Sequence, residues 1–301
     1  MKNYLTYALS ILLVLLTHYV FAQDLPITQQ AIQQCVDRDY VKALATINKA
    51  VVAADEKNHP RTWYVKSYVH KELYKLLDTP EEQEKELVFA TKAIEKSIEL
   101  DPYKAEWNQS VSMLEYLNVQ YQHLARGYAL SRGNVVNAHV DSLFNEYLRL
   151  QRLVDPGVDL KEEELSYNKV MGQRSYYMWE SDPEGHPNGL KDGEEYYRRA
   201  LLIDDKDCDA NYNLVVGFYN LGVHKIKLLN TTSDIAQLIL TQEESINLFR
   251  KSLPYILKAY SECPNDINIL RAMFYIHRAL DREEESHRYA KEIERLILEQ
   301  N

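Results

Sequence analysis

The chain has 301 residues, 46% hydrophobic and 27% charged, with only 9 Gly and 9 Pro. That supplies apolar mass for a sizeable core, leaves no low-complexity stretch, and argues against long flexible linkers and a turn-rich all-β fold. A formal net charge of −10 argues against nucleic acid or an anionic membrane as partner, since both select a net basic surface.

The first 22 residues differ from the rest. Lys2 precedes an apolar run at 8–16 (ALSILLVLL), and Val20-Phe21-Ala22 offers small residues to a signal peptidase. The run is shorter than the roughly 20 apolar residues a membrane span needs. It predicts a signal peptide over 1–22, cleaved after Ala22, and an exported protein, periplasmic or secreted, with no integral membrane segment after cleavage. Loss of Lys2 would take the formal charge from −10 to −11.

Beyond it, stop signals recur at Asp55, Pro102, Pro156, Asp205 and Pro264, each behind an apolar turn (SIELDP, RLVDP, LLIDD, YSECP). Proline cannot continue a helix and biases the preceding residue away from it. Starts interleave with these stops: Thr79-Pro80-Glu81-Glu82, TQEE from Thr241 and DREE from Asp281 combine a capping residue with Glu three positions on. Between them the apolar spacing is helical, as in Leu214, Val215, Phe218 and Leu221. In chain order the expected helix pairs are 27–38 with 40–56, 61–77 with 81–100, 104–131 with 138–154, 161–179 with 191–202, 209–229 with 241–263, and 267–279 with 282–298. The fold class expected is all-α, with a loop over 181–189 (SDPEGHPNG).

Residues 210–222 (ANYNLVVGFYNLG) carry Leu214, Phe218, Leu221 and Gly222 at the positions of the first helix of a tetratricopeptide repeat. Trp63 fills the aromatic slot, Ala43, Ala90 and Ala200 fill small positions, and Pro102 and Pro264 fill the terminal proline. The chain thus resembles the tetratricopeptide repeat (TPR) family. Residues 252–266 (SLPYILKAYSECPND) look like those of exported repeat proteins from Bacteroidota-type bacteria. It departs in placing Asn211 where the family prefers Trp, and in stops set further apart than the family's ~34-residue period. The resemblance implies an α-solenoid of antiparallel pairs, a right-handed superhelix of about six over 23–301, with a concave groove for a protein or peptide. Mapped residue by residue, that groove would receive Arg61, Tyr64, Tyr68 and Lys71, then Asp209, Tyr212, Val216 and Tyr219, then Asn268, Arg271, Tyr275 and Arg278. The family's carboxylate clamp is not reproduced, since Tyr212 and Val216 occupy two of its positions.

Catalytic signals are poor: HExxH, GxSxG, a P-loop and a dinucleotide fingerprint are all missing. We expect no enzyme, no cofactor and no metal; His186 with Asp182 and Glu184 matches no ligand spacing. His277 falls on an apolar stripe and reads as a packed, hydrogen-bonded histidine. Cys35, Cys208 and Cys263 leave one bridge open without fixing the pair, and suit helix packing as small buried hydrophobes. Tyrosine is abundant, 23 of 301, and Tyr and Arg are enriched at binding hot spots. The expected function is a scaffold that binds protein or peptide through an aromatic and basic groove. The alternative is a small-ligand or glycan-binding repeat protein of the cell envelope.

Overall fold

The computed structural model describes residues 25–105, 107–131, 135–229 and 234–299. The leader expected over 1–22, with its cleavage site, lies outside them. The described residues hold twelve helices: α1 (Ile27–Val36), α2 (Tyr40–Ala50), α3 (Pro60–Tyr74), α4 (Pro80–Glu99), α5 (Trp107–Leu130), α6 (Asn137–Val154), α7 (Lys161–Ser181), α8 (Gly189–Ile203), α9 (Cys208–Lys227), α10 (Ile235–Glu262), α11 (Ile267–Ala279) and α12 (Glu283–Glu299). Among the described residues the fold is all-α, and a helix stands at each expected position.

Local chemistry sets the helix ends. Asp39, Thr79, Asp207, Asp234 and Asp266 each accept a hydrogen bond from a backbone N–H of the first turn that follows, satisfying donors that lack an intrahelical acceptor. The Thr79 start stands where expected; the other two do not. α10 begins at Ile235 behind Asp234, so Thr241 lies inside it. Asp281 ends α11 instead of starting α12. At φ 59° it takes the left-handed position of a Schellman turn, with Arg282 N–H on His277 O at 2.9 Å and Asp281 N–H on Arg278 O at 3.1 Å. α2 stops at Ala50, earlier than expected, and turns fill the residues before α3.

The described residues fall into two compact units. One comprises those within Met1–Leu124 and Leu143–Pro156, the other those within Ala125–Ser142 and Gly157–Asn301. In the first, Ala31, Ala43, Ile47, Ala50, Val65 and Val69 close a core between α1, α2 and α3. In the second, α9 serves two cores. Leu214 and Phe218 pack towards α7 and α8, whereas Val215 packs with Phe249 and Ile256 of α10 and Leu270 and Met273 of α11. A helix with neighbours on several sides is apolar around much of its girth.

Glycines let aromatic rings into this unit. A Cβ on Gly217 or on Gly193 would overlap the Tyr176 ring, and one on Gly172 would stand 2.7 Å from the Tyr197 ring. Tyr176 and Tyr197 are buried with their centroids 5.4 Å apart. Gly217 is therefore a site of close packing, as its place inside a helix suggests. Asn211, where the family prefers Trp, is buried and donates to the carbonyls of Asp205 (3.0 Å) and Asp207 (2.9 Å), tying down the turn before α9.

Candidate functional site

Two of the expected groove sets converge within the second unit. Tyr212, Val216, Tyr219 and Asn220 of α9 face Asn268, Arg271, Ala272 and Tyr275 of α11 across a cavity of about 350 Å³. Positions 212, 216 and 219, like 268, 271 and 275, recur every three or four residues and so share one helical face. Asp207 and Asp266, capping α9 and α11, fix where the two stripes begin.

The lining is aromatic with polar tips. Tyr219 and Tyr275 approach to 6.3 Å between centroids, and Tyr219 also packs on Phe249 at 5.5 Å. Burial raises the Tyr212 and Tyr219 hydroxyls above the ordinary tyrosine range; Asp266 raises Tyr212 further and Arg271 opposes it. Both therefore stay protonated at neutral pH. Arg271 is exposed, with no ion pair or hydrogen bond to another described residue. Asn220 donates to Glu180 Oε1 at 2.9 Å.

Two mapped residues of this unit stand apart from the cavity. Arg278 lies 5.9 Å over the Phe274 ring, and Asp209 accepts from Lys169 Nζ at 3.1 Å. Asn220, Ala272 and Ile276 line the cavity without having been singled out from the sequence. Each lies one helical step from a mapped position, which is the signal that could have found them.

Arg61, Tyr64 and Tyr68, in the first unit, line a separate cavity of about 520 Å³ with Ile32, Val36 and Gln109. Lys71 does not join them. It is largely buried, 2.6 Å from Glu72 Oε1 and 4.2 Å over the Tyr68 ring, so its charge is already engaged. Cys35 also lines this cavity; burial, then Glu72, pushes its thiol up to about 11, which keeps it protonated and unreactive.

Two sequence expectations change. Cys208 and Cys263 are a disulfide instead of two packed thiols. Cys208 starts α9 and Cys263 follows α10, and antiparallel pairing brings those ends to a Cα–Cα distance of 6.3 Å. His277 is buried beside the Tyr289 ring, but neither ring nitrogen has a hydrogen-bond partner among the described residues. Burial lowers its pKa, Arg282 and Arg288 lower it further, and Glu285 opposes them. Asp182 is spent on a turn, accepting from Gly185 N–H at 2.9 Å, and no cluster of three or more metal-ligating side chains occurs among the described residues.

Arg174 went unnoticed in the sequence. It is buried in α7 and donates to the carbonyls of Tyr128 (2.9 Å), Ser131 and Val135 (2.9 Å). A guanidinium there closes the end of α5 and neutralises the negative pole of its dipole.

No family model and no curated protein matches the chain. Among solved structures it is similar to one described as the MamA protein (12% identity over 77% of this chain and 91% of that one, TM-score 0.31). Another is PilW, described as a widely conserved type IV pilus biogenesis factor (14% identity, 90% and 96%, TM-score 0.33). At such scores neither likeness bears on fold or function.

Proposed function

We propose that the chain is a non-enzymatic exported scaffold of TPR type that holds a protein or peptide partner in the α9–α11 cavity. One observation carries the reading. Two helices from separate pairs bring three tyrosines, two asparagines and an arginine to one open cavity, and the arginine has no protein counter-ion among the described residues. Rigid aromatic rings with polar tips give contact area at small entropic cost, and Tyr and Arg dominate measured hot spots.

Export is supported by the leader pattern and by the Cys208–Cys263 bridge, since structural disulfides persist in oxidising compartments. No helix among the described residues is long and apolar enough to cross a membrane. If the leader is cleaved, intact-mass analysis of the native protein gives a chain starting at Gln23; a mass retaining residues 1–22 refutes that.

The groove is tested by affinity purification with the double variant Arg271→Ala/Tyr275→Ala. Both side chains are exposed, so the circular dichroism melt should match wild type while the partner is lost. A partner retained at wild-type yield would overturn the assignment. Saturable thermal stabilisation by cell-wall glycans, with no peptide or protein bound, would favour the carbohydrate alternative.

A further inference from the structure

The cavity between α9 and α11 also has a chemical polarity, and an inference from it rests on the binding reading above. The polar residues that line the cavity are three tyrosines, two asparagines and one arginine; no carboxylate residue lines it. Tyr212, Tyr219 and Tyr275 have no hydrogen-bond partner for their hydroxyls among the described residues. Two of the three are held in the protonated form by burial, and so can donate.

The two acids that meet lining residues are already hydrogen-bonded by them. Asp266 Oδ1 accepts from the N–H groups of Asn268 (2.7 Å) and Ile269 (3.2 Å), and Glu180 accepts from Asn220. Arg271 is left as a cation without a partner on a chain whose formal charge is −10. Arg271 is the one charged side chain in the cavity lining, and charge complementarity there selects against basic ligands. Val215, Val216 and Ile276 add aliphatic surface to the lining. About 350 Å³ accommodates one or two side chains, not a folded surface.

We infer that the cavity takes an extended acidic peptide segment: a side-chain Asp or Glu carboxylate on Arg271, and beside it an apolar or aromatic side chain on the wall formed by Tyr212, Tyr219 and Tyr275. A guanidinium binds a carboxylate through paired, charge-assisted hydrogen bonds, while the rings desolvate the contact and make it stronger than it would be in water. No free chain terminus is required.

The test is selection from a random heptapeptide library displayed as fusions, so that no terminal carboxylate competes. Wild-type protein should enrich sequences with Asp or Glu adjacent to Phe, Tyr, Leu or Ile. Arg271→Glu should lose those sequences, and a selected peptide measured by calorimetry should bind Arg271→Gln about tenfold or more weakly. The same peptide with Gln or Asn for its acids should lose a similar factor on wild type. Enrichment of neutral or basic sequences, no enrichment over Arg271→Glu, or equal affinity for the neutral peptide each overturns the inference. A partner that Tyr275→Ala abolishes but Arg271→Glu leaves intact would sink the acidic assignment alone and leave the groove standing.

Discussion

At the scale of single residues, packing around Tyr176 explains a glycine that helix propensity disfavours. Glycine in a helix interior costs about 1 kcal/mol against alanine, so Gly217→Ala should stabilise if space were free. It is not, because the new Cβ meets the Tyr176 ring. We expect Gly217→Ala to destabilise by roughly 1–3 kcal/mol, the usual cost of overpacking. Tyr176→Phe removes the Oη atom that meets it and should recover part of the loss in the double variant, measured by urea unfolding. Additive losses would show that the ring is not the obstacle.

His277 gives a residue-scale prediction with a sign. Its folded pKa lies below the ordinary value of 6.5, and so does that of His70, where burial outweighs the Glu86 contact. A base whose folded pKa is depressed binds more protons when unfolded, so stability is full above about 6.5 and falls as pH drops through that value. Melting temperature should decline between pH 7 and 5, with a shallower slope in His277→Leu. An unchanged slope would assign the acid sensitivity to other groups. The apolar stripe placed His277 correctly, but no pattern along the chain reports whether a ring nitrogen will meet a partner across α11 and α12.

Among the elements, what was legible is what is local. Helix period, proline stops and the Thr79 cap act over a few residues, and the twelve helices follow from them. The errors occurred where two local signals compete. TQEE at Thr241 looks like a start, yet Asp234 caps first and the helix runs through. The DREE signal lost because Asp281 closes the helix before it. The cavity stripes were legible through the resemblance; the disulfide was not, because its partners are 55 residues apart and three cysteines allow three pairs. Loop closure over that separation corresponds to about 4 kcal/mol. Cys208→Ser/Cys263→Ser should therefore unfold at clearly lower urea than wild type, and dithiothreitol should bring wild type to the same midpoint. Equal midpoints for oxidised wild type and the double variant would mean that the bridge closes no loop in solution.

For the molecule as a whole, stability should be set locally. Among the described residues, the core of α1–α3 shares no residue with the cores of α7–α12 described above, and α9 alone contributes buried residues to both of the latter. In the second unit each helix from α7 to α12 packs mostly on its neighbours in sequence, so a perturbation spreads only as far as the contacts it weakens. The bridge fastens the first residue of α9 to the junction between α10 and α11. Reducing it frees the ends of both cavity walls. Amide exchange should then speed up in α9, α10 and α11, fall off through α8 and α12, and stay unchanged in α1–α4. Peptide affinity at the cavity should drop together with that protection, because its walls must be ordered again on binding at an entropic cost. Exchange that accelerates equally in both units would show one cooperative block instead, and affinity that survives reduction would show that the walls are held by packing alone.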